Sequence, residues 1–245
     1  MASFTPSGIC IEKKRIKAVR RLWIGIVLCT SFLTAPAQEM GLSFSYFIPR
    51  NGYFSTPISP FSIRGLGIDL NKFVALETGF SLYRMSGLNV MEMPFETKDP
   101  IVGPNFTIFI PAEIVFQFKG QQAEFDVKGG GFFFYGFGQK INHGNLDKGL
   151  RAYENWEVAN ASVTASNHPG FGYHAGVEFT FYPSKQFGIS LECNYLLGQA
   201  KFPMKGEYTG GTQAGGLETR LIDYSNAKID FTGLEFSIGI IFSGQ

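Results

Sequence analysis

"LEFSIGIIF", Leu234 to Phe242, alternates without a break. Leu234, Phe236, Ile238, Ile240 and Phe242 fall on one side of a strand, and Glu235, Ser237, Gly239 and Ile241 on the other, because side chains in a strand repeat every two residues. Two architectures accept such a strand. A soluble sheet buries the apolar side and leaves Glu235 wet. A membrane barrel turns the apolar side to lipid and Glu235 to the lumen. The rest of the chain decides between them.

Seven more runs share this two-sided pattern: Met40–Ile48, Phe61–Leu70, Phe73–Arg84, Asn105–Lys119, Glu124–Gly138, Phe171–Tyr182 and Phe187–Leu197. In each, Phe, Ile, Leu, Val and Tyr oppose mostly Gly, Ser, Thr and charged residues. Most reach the ~9–11 residues of a tilted membrane strand and exceed the ~5–6 common in soluble domains. Pro111, inside the fourth run, predicts a local bulge.

The connections fall into two classes. "NK" (Asn71, Lys72), "GQQA" (Gly120–Ala123) and "PSKQ" (Pro183–Gln186) are tight, whereas residues 49–60, 85–104, 139–170 and 198–231 form long loops. Short and long alternate from first to last, so an up-and-down meander collects the short turns at one end and the long loops at the other. That is the arrangement of outer-membrane barrels, and loops of this length are uncommon in compact soluble domains.

The N-terminus reads as an export signal. "KKRIKAVRR" (Lys13–Arg21) is a basic segment, "LWIGIVLCTSFL" (Leu22–Leu33) an apolar one and "APA" (Ala35–Ala37) a cleavage site. The apolar stretch is shorter than the ~20 residues a spanning helix needs. Residues 1–37 are therefore expected to be removed and 38–245 to form the barrel domain. Cleavage removes six of the 21 basic residues and one of the 20 acids, leaving 15 against 19. No basic surface remains for nucleic acid. Cys10 and Cys29 leave as well, so Cys193 stands alone and excludes a disulfide framework or a cysteine-based metal site. Charged residues make up only 17% of the chain, and the 26 Phe and 30 Gly fit an aromatic-rich β protein better than a helical enzyme.

With lipid outside, the other faces form a lumen lined by Glu77, Glu113, Asp126, Lys128, His174, Glu178, Glu192 and Glu235. Buried charges need partners or water. Acids outnumber bases, so waters, shared protons or basic side chains from Arg64, Arg84 or Lys119 are expected among them. A narrow eight-stranded barrel is filled by its side chains, which favours a polar plug over an ion path. Tyr46, Phe47, Phe73, Phe118, Phe171, Phe181, Tyr182, Phe187 and Phe242 lie near strand ends, where aromatic girdles meet the membrane interfaces.

Candidate chemistry is sparse. Of the three histidines, His143 and His168 fall in or beside the third long loop. His174 shares a lumen face with Glu178, a pairing that could orient a base near Ser162, Thr164 or Ser166. No spacing selects a nucleophile, so no catalytic residue and no cofactor or metal site is expected. Gly129–Gly131 lacks the helix and the Lys-Ser/Thr pair of a phosphate loop. "GEYTGGTQAGG" (Gly206–Gly216) reads as a flexible loop tip. The flanking "AKFPMKGEY" and "NAKIDF" can extend the last hairpin above the membrane.

The segments "GLGIDLNKFVALETGFSLYRM" (Gly65–Met85), "FTIFIPAEIVFQFKGQQAEFDVKGGGFFFYGFG" (Phe106–Gly138) and "GLEFSIGIIF" (Gly233–Phe242) resemble the small outer-membrane β-barrels abundant in Bacteroidetes-type bacteria. They are also similar to the eight-stranded OmpA/OmpX-like barrels. The resemblance implies an all-β, eight-stranded antiparallel up-and-down transmembrane barrel in the cell outer membrane. It implies a non-enzymatic structural or surface role, with lipid around the barrel and protein partners at loops 139–170 and 198–231. A subgroup, the PorT-like barrels, serves protein secretion. Two other readings remain open at this point: a barrel enzyme acting on lipid or peptide, and a soluble periplasmic lipocalin-like binder. Lipocalins carry a Gly-x-Trp near the first strand, whereas Trp156, the one tryptophan after the leader, lies in a loop.

Overall fold

All eight alternating runs form strands. In the computed structural model the described residues are 40–51, 58–85 and 87–242, so the expected leader lies outside them. In chain order the strands are β1 (Met40–Pro49), β2 (Ile58–Asn71), β3 (Val74–Met85), β4 (Val90–Met91), β5 (Asn105–Lys119) and β6 (Ala123–Phe137). Helix α1 (His143–Glu154) and β7 (Val158–Ala165) follow. They are succeeded by β8 (Gly170–Phe181), β9 (Phe187–Lys201), β10 (Met204–Thr212), β11 (Gly216–Tyr224), β12 (Lys228–Asp230) and β13 (Gly233–Phe242).

Eight of these make an antiparallel meander in the order β1-β2-β3-β5-β6-β8-β9-β13. β13 pairs with both β9 and β1, so the sheet closes and no edge faces lipid. The opening stretch supplies the closure: Leu234 lies opposite Ile48, and Phe242 opposite Met40. The tight turns are held by local bonds. Phe73 N–H donates to Asn71 Oδ1 at 2.8 Å, and Gly120 N–H to Ala123 O at 2.7 Å, as short polar turn residues do.

The alternation survives with one consequential break. On β2, Ser62 and Arg64 are buried, yet Leu66, Ile68 and Leu70 are exposed, although all five share parity. The pairing with β3 shifts between Ile63 and Leu66, and Gly65 sits there at φ 72°. One extra residue in a bulge swaps the two faces of a strand, and glycine takes the left-handed conformation without a Cβ penalty. The bulge thereby turns Arg64 into the lumen. The bulge expected at Pro111 is absent. β5 keeps one register with β3 and β6 throughout. Next to the proline, Thr78 Oγ1 donates to Pro111 O at 2.6 Å, a side-chain bond that supports the ladder where the ring offers no N–H.

Beyond the long-loop end stands a folded layer. β12 pairs with the projecting end of β9 and with β4. β7, β10 and β11 form a second sheet in the order β11-β10-β7. The expected extension of the last hairpin is thus realised by β9 and β12, while Met204–Tyr208 leaves to join the second sheet. "GEYTGGTQAGG" is no flexible tip: Gly206–Thr212 belongs to β10, and nine residue pairs join β10 to β11 without a shift. The helix was also missed. Asn142 caps its N-terminus by accepting from Asn145 N–H at 3.2 Å, Asn155 ends it at φ 54°, and Leu146 and Leu150 form its buried stripe, all ordinary helix signals.

Candidate functional site

The lumen holds two layers. Along β5, β6, β8 and β9, the interior positions nearer the short turns are polar: Gln117, Glu113, Asp126, Lys128, Glu178, Ser190, Glu192 and Asn194 are all buried. Nearer the long loops they become aromatic. Phe109, Phe132 and Phe134 are buried there with Phe47 and Tyr83. The aromatic layer is a departure from the all-polar plug expected. Phe47, expected in a lipid girdle, is fully enclosed.

Every lumen residue named from the sequence lies on the inner face. Seven of the eight are buried and Glu77 is half-buried, opposite Glu113 across the β3–β5 ladder. They form two clusters. In the first, Arg64 Nη2 donates to Glu235 Oε1 at 2.7 Å, Tyr83 Oη donates to the same oxygen, and Asn194 Nδ2 donates to Glu235 Oε2 at 2.9 Å. In the second, Lys128 pairs with Glu178 and stands 3.6 Å from Glu192. Asn194 links the two, since its amide also donates to Glu192 Oε1 at 3.0 Å. The partner sought for Glu235 is therefore Arg64, one of the three basic side chains expected to reach in. Lys119 instead meets Glu124, and Arg84 is exposed. The pairing of His174 with Glu178 is not made. Lys128 takes Glu178, and the carboxylate nearest His174 Nε2 is Glu113, at 3.6 Å.

Sequence reasoning missed Phe231, which belongs to no strand. It follows β12, is fully buried, and stacks on Phe134 at 4.5 Å and on Phe47 at 4.8 Å between ring centroids. Phe109, Phe132 and Tyr83 surround it at 6.1–6.3 Å. Such ring pairs add about 0.5–1.5 kcal/mol each beyond area burial. Glycines on the facing strands make the room. A Cβ on Gly172 would fall 2.3 Å from Phe132 Cζ and from Leu197 O, and one on Gly170 would fall 2.3 Å from Phe134 Cε1. Gly172→Ala is accordingly expected to destabilise the barrel by about 1–3 kcal/mol through overpacking, read as a lower urea midpoint in detergent.

The apolar core runs on from these rings into the external layer. One cluster of buried side chains joins Phe231 and Phe134 to Leu88, Ile101, Leu146, Phe202, Met204 and Ile222. Within that layer, Tyr208 Oη donates to Glu154 Oε1 at 2.5 Å, and Arg220 lies over Trp156 at 5.1 Å. Burial pushes the Tyr224 hydroxyl from the ordinary 10.0 up to about 12, with Tyr208, Tyr153 and Glu154 adding to the shift. A raised folded-state value favours the neutral phenol. Its contribution is full below pH 10 and is lost as pH rises through about 12. The side chain is only partly enclosed, so the loss should stay below ~1 kcal/mol after screening. Tyrosinate absorbance should show a late-titrating component that Tyr224→Phe reduces.

Outward positions on the barrel strands tell the rest. Phe44, Ile68, Leu76, Ile114, Phe116, Phe125, Val177, Phe179, Leu191, Phe236 and Ile238 are all exposed. A closed barrel girdled by such a band, with charges inside, has its apolar side toward lipid. This is an outer-membrane β-barrel. The lipocalin-like reading needs the opposite orientation, with the apolar side inward.

No family model matches the chain, and no curated protein does. Among solved structures it is similar to the outer membrane protein OprG from Pseudomonas aeruginosa, at 8% identity over 84% of this chain and 94% of that one, with a TM-score of 0.48. It is similar also to Ail, the attachment invasion locus protein of Yersinia pestis, at 10% identity over 84% and 95% with a TM-score of 0.38. A major outer membrane protein from Thermus thermophilus gives 8% identity over 84% and 98%, with a TM-score of 0.41. Values this low leave the assignment resting on the barrel itself.

Proposed function

We propose that the protein is a plugged, non-enzymatic barrel whose work is to hold a folded contact surface outside the outer membrane. The observation that carries this reading is the continuity of one apolar core from the ring stack at Phe231 into the layer that residues 85–104 build together with segments 139–170 and 198–231. A barrel filled in this way does not offer a wide path, and its rigid filling supports a platform. Those two segments are the contact surfaces for protein partners, and the mature chain begins at Gln38 after removal of the leader.

Planar-bilayer recordings of the purified protein should show no steady conductance. A sustained ionic current, or a lipid- or peptide-cleaving activity abolished by His174→Ala, would overturn the proposal. The membrane setting has its own check. Cys193 lies on the outward row of β9, between exposed Leu191 and Tyr195. In lipid vesicles it should react with an apolar maleimide and resist a charged one.

A further inference from the structure

The second sheet has two edges, and they are treated differently. At β7, side chains of α1 occupy the edge: Ala161 N–H donates to Asp147 Oδ1 at 2.8 Å, and His143 Nδ1 lies 3.1 Å from Ala161 O. At β11, pairing among the described residues is with β10 alone. β11 has no proline, lysine or bulge along it, and its charges are limited to Glu218, Arg220 and Asp223. All of its residues but Ile222 and Tyr224 are exposed, Leu217 at 73% and Leu221 at 83%. A bare edge carrying two exposed leucines is a template for another strand.

The sequence of that edge says which strand fits. Leu217, Thr219 and Leu221 share one face, and Glu218 and Arg220 the other. An antiparallel pairing of two copies about a two-fold axis at Thr219 sets Leu217 opposite the partner's Leu221. It also sets Glu218 opposite the partner's Arg220. Apolar then meets apolar on one face, and on the other the Glu218–Arg220 pairs of the two copies, each already bonded within its own chain at 2.6 Å, lie acid to base. Moving the axis to Glu218 or Arg220 opposes like charges and sets Leu217 against Thr219 or Asp223. Moving it by half a residue joins the outer face of one sheet to the inner face of the next. Among these registers the Thr219 axis alone is self-complementary on both faces.

We infer that β11 is a homophilic docking edge, joining two copies of this chain into one continuous sheet through the Leu217–Leu221 segment. The contact is isologous, as two-fold interfaces are. Cross-strand pairs of these kinds are individually weak. A five-residue edge is thus a weak site that relies on copies held close together in a membrane. The inference rests on the external layer being a contact surface.

The test is register-specific cross-linking of the full chain in lipid vesicles, in a Cys193→Ser background. At the axis the two Thr219 Cα atoms would stand about 4.5–5.5 Å apart, within disulfide reach. Thr219→Cys should therefore give a disulfide-linked dimer on mild oxidation, and Thr209→Cys, on the inner strand β10, should not. L217K/L221K opposes lysines across the axis and should reduce the cross-link at least tenfold. L217K/L221E opposes lysine to glutamate and should restore it. Both positions are exposed in the single copy, so these variants leave the barrel fold alone. Absence of the Thr219→Cys dimer, equal cross-linking from Thr209→Cys, or failure of L217K/L221E to restore it overturns the inference. Continued recovery of the protein in a carbonate-washed membrane pellet and a silent bilayer would leave the proposed function standing in that case.

Discussion

Glu235→Ala should lower the unfolding free energy by about 3–5 kcal/mol, the cost of breaking a buried ion pair by removing one member. The carboxylate is fully enclosed and accepts from Arg64, Tyr83 and Asn194 together. Without it, the nearest acid to the guanidinium is Glu113, 3.8 Å from Nη1. Among the described residues, Arg64 Nε and Nη1 have no hydrogen-bond partner even in the intact protein, so the orphaned cation has little to fall back on. Glu235→Gln preserves the shape and an acceptor, and should cost clearly less than the alanine change. The pair substitution Arg64→Met with Glu235→Leu should recover most of the loss, because it removes both charges from a site expensive to desolvate. Urea unfolding in vesicles, followed by electrophoretic mobility of folded and unfolded barrel, measures all three. A Glu235→Ala midpoint equal to that of the unsubstituted chain would show that the network carries no stability.

Phe231→Ala should cost a similar ~3–5 kcal/mol, the range for deleting a buried aromatic side chain where neighbours cannot collapse. Its neighbours come from β1, β3, β5 and β6, whose backbones are fixed by the closed ladder. The cavity therefore stays open. Two readouts separate this residue from an ordinary core position. The urea midpoint should fall, and brief conductance events should appear in bilayers where the intact protein is silent. Phe231→Leu should recover part of the stability, since much of the volume remains. A silent, fully stable alanine variant would remove Phe231 from its role as the closure of the lumen.

Much of the barrel could be read from the alternation, because a strand between lipid and lumen writes its two environments into every second residue. The fourth run was bounded to the residue at Asn105–Lys119. Glu235 was identified as an enclosed acid for the same reason. What escaped were departures from that periodicity. Arg64 carries the parity of the lipid-facing leucines and enters the lumen only through the bulge at Gly65, where the sequence shows one glycine among many. Phe132 and Phe134 keep the inward parity of Asp126 and Lys128, yet nothing in their composition marked an aromatic layer inside a lumen read as polar. Phe231 sits outside any run, and its place depends on ring contacts with distant strands, from Phe134 back to Phe47. The external layer was masked by loop-like composition, although Asn142, Leu146, Leu150 and Asn155 did spell out a capped helix.

Phe231 and Glu235 lie four residues apart, at the entrance to the last strand. The ring that shuts the throat and the acid that neutralises Arg64, 171 positions away, therefore arrive together, and only when β13 takes its place between β9 and β1. Until then the nascent barrel lacks its closing ring, and Arg64 lacks the carboxylate to which it donates. Contacts this distant in sequence form late and slowly. Closure of the ring stack, pairing of Arg64 and joining of the first strand to the last become a single event in assembly, and a chain halted one strand short would have achieved none of the three.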